Sequence, residues 1–198
     1  MTKNRLEAFS DGVLAIIITI MVLEFKVPEG NTWEDLKPLL PKFLSYALSF
    51  IYVGIYWNNH HHMLHTVNKV NGKILWANLH LLFWLSLVPF ITGWIGENHL
   101  AKLPIMLYGI ILFMSGFSFS ILQKLIIKLE GKDSLLSKAI GNGYKEKASI
   151  FCYLAAIVFA NFYPIVSLII YIMVAFLWFI PDKRIEHIFE EENKINLK

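Results

Sequence analysis

Arg5-Leu6-Glu7-Ala8-Phe9-Ser10-Asp11 runs directly into Gly12-Val13-Leu14-Ala15-Ile16-Ile17-Ile18-Thr19-Ile20-Met21-Val22-Leu23. The second stretch has the composition of a membrane span. The first is a charged, hydrogen-bonding heptapeptide that opens it. An Asp or Arg at the centre of a membrane helix costs roughly 2.5–3.5 kcal/mol on the insertion scale, so such residues persist where they face protein or water. The head of this segment therefore reads as a functional or assembly site on a first membrane helix. A cleaved signal peptide is not expected. Glu7 and Asp11 intrude before the apolar run, and Leu23-Glu24-Phe25-Lys26 offers no small-residue cleavage site.

Composition agrees with this start. The chain has 198 residues, of which 56% are hydrophobic and 17% charged, against about 25% charged in soluble domains. Mean hydropathy is +0.53. An ordinary soluble domain is excluded. The single cysteine, Cys152, lies in an apolar run and reads as a small packing residue. The net charge of +3 comes from dispersed basic residues, which leaves no footprint for nucleic acid.

A hydrocarbon core of about 30 Å needs about 20 helical residues at 1.5 Å each. Six segments meet or approach this: 5–26, 39–66, 73–95, 103–128, 145–162 and 164–181. Pro89 breaks the third near its end, and Phe162-Tyr163-Pro164 reads as a tight hairpin between the last two. The prediction is an all-α membrane protein, six transmembrane helices per chain, forming one domain over 1–198. With the N-terminus inside, the cytoplasmic pieces are 1–12, 67–73, 124–147 and 182–198. Of the 18 basic residues, all but Lys26, Lys37, Lys42 and Lys102 fall in them. This asymmetry predicts a multi-pass protein of the cell membrane with both termini cytoplasmic. The outer 24–38 loop carries Glu24, Glu29, Glu34 and Asp35, a mildly acidic mouth.

On a helical wheel Ile16, Ile20 and Leu23 share a face, with Thr19 beside Ile20. For an isolated helix such a stripe is more often packing surface. It can also line a symmetric pore, where rings of branched apolar side chains constrict and gate by dewetting. Periodicity alone does not choose between them. Arg5 and Asp11 stand about 240° apart around the helix, so each needs a partner on another element.

The second segment ends in Trp57-Asn58-Asn59-His60-His61-His62-Met63-Leu64-His65, and the third contains Trp76-Ala77-Asn78-Leu79-His80. His61 and His65 have the i, i+4 spacing that can bind zinc. No glutamate or cysteine lies in the tract, so hydrogen-bonded structural histidines are the expectation and no metal site is assigned. The topology brings Asp11, the histidines, Asn78 and His80 towards one leaflet, where a polar network among the first three helices follows. Ser115-Gly116-Phe117-Ser118-Phe119-Ser120 in the fourth segment reads as a close-packing stripe. No phosphate loop, nucleotide fingerprint or GxSxG elbow is present, and no Thr-Val-Gly-Tyr-Gly filter. No catalytic residue is assigned.

The Arg5-x-x-x-Phe9-Ser10-Asp11 pattern at the head of a first membrane helix resembles the prokaryotic relatives of the lysosomal potassium channel called transmembrane protein 175. Trp57-Asn58-Asn59-His60 resembles the W-x-x-H of that family's second helix, and Trp76 to Pro89, with Asn78, its third. The resemblance implies a homotetrameric, potassium-permeable channel without cofactors, its central cation pathway lined by the first helix of each subunit. Carried onto this chain, Ile16, Ile20 and Leu23 would form apolar rings and Thr19 a polar ring. Phe9, Ser10 and Asp11 would hold the first helix against Trp57, His60 and third-helix polar residues such as Asn78 and His80, with Arg5 in the same network. Eukaryotic relatives conduct protons as well as potassium, which leaves ion preference open. Two alternatives stand beside the channel: a proton pathway or secondary transporter using Asp11 and the histidines, and a membrane metalloenzyme built on His60, His61, His65 and His80.

Overall fold

The computed structural model describes residues 2–98, 101–131, 133–141 and 143–179. All regular structure among them is helical. Helix α1 (Lys3–Ile20) tightens into a 3-10 turn, Met21–Glu24. A short α2 (Trp33–Leu36) and a second 3-10 turn (Lys37–Leu39) lead into α3 (Leu40–His65). Then come α4 (Gly72–Ser86), α5 (Val88–Glu97), α6 (Lys102–Glu130), α7 (Leu135–Ile140), α8 (Tyr144–Ala160) and α9 (Pro164–Phe179). The predicted end of the sixth segment beyond 179 and the inner piece 182–198 lie outside the described residues.

Element boundaries follow local chemistry. Asn71 caps α4 by accepting from the Ile74 N–H at 3.0 Å. Thr32 and Asp35 form a reciprocal capping box on α2. Pro41 sits in the first turn of α3, where its missing N–H costs nothing. The third predicted segment is two helices, not one. Pro89 has no N–H to offer the Leu85 carbonyl, so α4 ends at Ser86 and α5 restarts at Val88 after Leu87. The expected hairpin is present: the Phe162 and Tyr163 N–H groups both donate to Phe159 O, at 2.9 and 2.7 Å.

Four stretches are long and apolar enough to cross a membrane: Lys3–Glu24, Trp33–His65, Gly72–Glu97 and Lys102–Glu130. Helices α8 and α9, with 17 and 16 residues, reach only about 25 Å at 1.5 Å per residue. Helix α6, with 29 residues, reaches about 44 Å and so tilts or projects from a 30 Å core.

Packing runs α1 against α3 and α4, α4 against α6, α6 against α8 and α8 against α9, while α9 returns to α3 and α6 and α5 packs on α3. Helix α1 thus sits at the edge. Of the apolar core of Lys3–Glu24 28% is buried, against 22% for Trp33–His65 and 50% for Gly72–Glu97 and for Lys102–Glu130. Lipid tails are as apolar as leucine, so cohesion rests on close packing and interhelical hydrogen bonds. Gly109 on α6 supplies the closest approach: a Cβ there would collide with the Tyr171 hydroxyl and lie 2.9 Å from Ile157. The stripe expected for that purpose does less. A Cβ on Gly116 would meet Tyr56 at an ordinary 3.5 Å. Hydroxyls of Thr92 (α5), Ser49 (α3) and Tyr108 (α6) form a buried chain at 2.7 and 3.1 Å.

Candidate functional site at the first helix

Helix α1 has two faces. Leu6, Ser10, Leu14 and Ile17 are buried against the bundle, and Met21 continues that line. Ile16, Thr19, Ile20 and Leu23 are all on the open face, with Ile16 60% and Leu23 78% exposed. The Thr19 hydroxyl lies 3.0 Å from both Ala15 O and Ile16 O, so its proton turns to the backbone and its oxygen faces outward. The 3-10 turn modifies the wheel. Its tighter winding exposes Val22 as well, although Val22 reads from the sequence as belonging to another face. It also lengthens the rise from Ile16 to Leu23 to about 12 Å, from the 10.5 Å of a continuous α-helix.

Exposure of apolar residues does not by itself identify a pathway in such a bundle, since Phe43, Leu44 and Phe151 are equally open. What singles out α1 is the polar seat under its closed face. Ser10 Oγ–H donates to Leu6 O at 2.8 Å, which leaves its oxygen to accept from Asn78 Nδ2 at 2.9 Å. Asn78 Oδ1 must then accept from His60 Nε2, 2.6 Å away. Ser10, Asn78 and His60 are all buried. The direction of the chain therefore assigns the His60 proton to Nε2. Three helices are joined by one continuous chain of polar groups.

Asp11 accepts from Trp57 Nε1 at 3.0 Å, a second α1–α3 link at a more open site. Three expected members of the network lie elsewhere. His80 points to α6: Trp84 Nε1–H donates to its Nε2 at 3.0 Å, so its proton sits on Nδ1 and goes to Ser118 Oγ at 3.1 Å. Arg5 is exposed and forms no ion pair among the described residues. Phe9 is 49% exposed, on the open side beside the Ser10 contact rather than in it. For Arg5 and Phe9 the departure follows from helix geometry, because they are i, i+4 neighbours on a face turned away from α3 and α4.

The histidines separate in the same way. His60 is engaged through Nε2 with Asn78 and His80 through both ring nitrogens with Trp84 and Ser118, so His60, His61, His65 and His80 do not converge. His61 turns to α1, its Nδ1 3.2 Å from Glu7 Oε1, and stacks on Trp57 with centroids 6.0 Å apart. Glu7 stands inside the sequence motif, yet reads there as one more interfacial charge. Nothing in the sequence pairs it with a histidine 54 positions on. The acidic 24–38 loop, expected as an outer mouth, is also partly neutralised. Glu34 pairs with Lys37 at 2.7 Å, and Asp35 is engaged by Thr32 at 2.6 Å.

A family model described as the endosomal/lysosomal potassium channel TMEM175 matches residues 5–89, which contain this whole seat. A protein named potassium channel, from Chryseobacterium sp. (strain P1-3), is 60% identical over 191 residues, 96% of this chain and 100% of its own length. The chain belongs to the TMEM175 family. Full-length coverage of a bacterial relative puts it among the family's prokaryotic members. A second protein named potassium channel, from Streptomyces collinus, is 32% identical over 61% of this chain and 62% of its own. A crystal structure of a lysosomal potassium-selective channel TMEM175 homolog from Chamaesiphon minutus superposes with a TM-score of 0.79 at 28% identity, covering 91% of this chain and 97% of that one. The all-helical membrane fold is therefore that of TMEM175-family channels.

Proposed function

We propose that this TMEM175-family chain is a potassium-permeable cation channel of the cell membrane, working as a homotetramer and not as an enzyme. Its 198 residues act as one domain of six spans, the two short helices α8 and α9 included, with both termini cytoplasmic. Four copies of α1 surround a central axis. Ile16, Ile20 and Leu23 form stacked apolar constrictions, and the outward oxygen of Thr19 gives a polar ring between them. Potassium is the permeant species, and conduction requires no cofactor.

The observation that carries this reading is the division of α1 into a closed face seated by Ser10, Asn78 and His60 and an open face of branched apolar residues. One subunit encloses no pathway around that open face, whereas cyclic symmetry would bring four copies of it together. Narrow apolar rings hold back water and ions unless the ring widens. With no carbonyl filter to replace a hydration shell, preference for potassium over sodium is moderate. The motif residues serve assembly: the seat fixes the rotation of α1, and so determines which side chains reach the axis. Planar-bilayer recording of purified protein under potassium, sodium and caesium gradients tests the function. Passive currents that reverse towards the potassium equilibrium potential support it. Strict coupling of flux to a second solute would favour a transporter instead.

A further inference from the structure

One cluster is not used by the pathway or its seat. Glu7 on α1 and His61 and His65 on α3 each offer a ligand atom, and these three atoms lie within 4.8 Å of one another. His61 and His65 are successive turns of one helix face, their rings 4.6 Å apart. The His61 Nδ1–Glu7 Oε1 distance is 3.2 Å. That is close to the roughly 3.4 Å between ligand atoms around a tetrahedral zinc ion with bonds of about 2.1 Å. Glu7 and His61 are half-buried, whereas His65 is exposed. The site thus has a fixed half, an adjustable arm that needs to move by at most about 1.4 Å, and an open route for an ion. The Lys3 ammonium donates to the His65 carbonyl at 2.8 Å and ties the same two helix ends together without using an imidazole nitrogen.

We propose that Glu7, His61 and His65 bind a zinc-class divalent cation that clamps the N-terminal end of α1 to the C-terminal end of α3. Two imidazoles and a carboxylate suit zinc and its neighbours rather than magnesium or calcium, which prefer all-oxygen shells. The two-histidine, one-glutamate set leaves a fourth position for water. The residue following His61 is His62 and not glutamate, so the general base of helical zinc hydrolases is missing. The ion is a structural fastener here. It anchors the end of α1 opposite the apolar rings, about one turn before the Ser10 seat. The sequence tract contains no acid, and the third ligand comes from α1 through the fold.

The binding claim is independent of the channel reading, and its test needs no ion flux. Full-length protein without a polyhistidine tag is stripped with chelator and titrated with zinc chloride, following heat release and thermal unfolding. Saturable binding near one ion per chain, a rise in Tm and no response to magnesium are the expected results. Glu7→Gln, His61→Gln and His65→Gln should each weaken binding by about tenfold or more, and His62→Gln should not. Cobalt supplies a second readout that does not depend on variant stability. The intense visible absorption of a tetrahedral cobalt site should appear in the wild type and vanish on adding zinc. No saturable zinc binding, or undiminished binding in a folded His61→Gln/His65→Gln double variant, would overturn the proposal.

Discussion

Asn78 is the hinge of the polar seat, since it both donates to Ser10 and accepts from His60. Asn78→Ala therefore strands two buried groups, the His60 N–H and the Ser10 oxygen, whereas Ser10→Ala strands one Asn78 N–H. Each stranded group costs about 1–3 kcal/mol. Asn78→Ala should lower the thermal midpoint clearly more than Ser10→Ala when both are followed by light-scattering melts in detergent. Asp11→Asn, at a half-open site, should cost about 1 kcal/mol or less, with tetramer yield on size-exclusion chromatography close to wild type. That Asp11, His60 and Asn78 must find partners was legible in the sequence, because they are polar residues in apolar surroundings. Arg5, Phe9 and His80, expected beside them, lie outside the Ser10–Asn78–His60 chain. The pairings were not legible. Whether a histidine meets a neighbour 18 residues away, as His60 meets Asn78, or one 38 away, as His80 meets Ser118, depends on helix rotation that the spacing leaves open. Arg5 shows the converse: it is exposed and forms no ion pair among the described residues, so the expected charge asymmetry needs no partner for it.

Helix α1 can be read as an element with two opposed tasks, and substitutions on its two faces should separate them. Ile16→Asn places an amide on the open face, so it should raise leak and weaken potassium-over-sodium discrimination in liposome flux while assembly persists. Ile17→Asn puts the same amide in the buried seam, where an unpaired polar group costs about 1–3 kcal/mol. The result there should be loss of folded protein, not altered flux. At α6, Gly109→Ala forces Tyr171 and Ile157 aside and should destabilise by about 1–3 kcal/mol, read as a lower Tm. Gly116→Ala should be nearly neutral. Most helix limits were legible, since apolar run length and proline placement set them. The break at Leu87 follows the Pro89 signal, whereas the 3-10 turn at Met21–Glu24 was not legible, because periodicity assumes one winding throughout. Close packing at Gly109 was equally hidden, as a single glycine in an apolar run carries no sign of what faces it.

A pathway lined by α1 exists only where four open faces meet. Native mass measurement in detergent or lipid nanodiscs should give four chains, and a conducting monomer would remove the basis for the rings. Composition and charge asymmetry were enough to read the membrane class and the proposed orientation. The proposed assembly rests on the resemblance alone, because exposed apolar side chains such as Phe43 and Ile16 look alike whether they face lipid or another subunit. The central claim is that the Ile16–Leu23 stripe lines the pathway, and the chain's one cysteine makes a direct test practical. In a Cys152→Ser background, single cysteines at Ile16, Thr19, Ile20 and Leu23, and at Phe43 and Leu44 as exposed controls, are treated with a charged thiol reagent during bilayer recording. Current through the four stripe variants should be altered irreversibly, and the Phe43 and Leu44 variants should be unchanged. Equal modification of current at both sets, or none at the stripe, would contradict that claim.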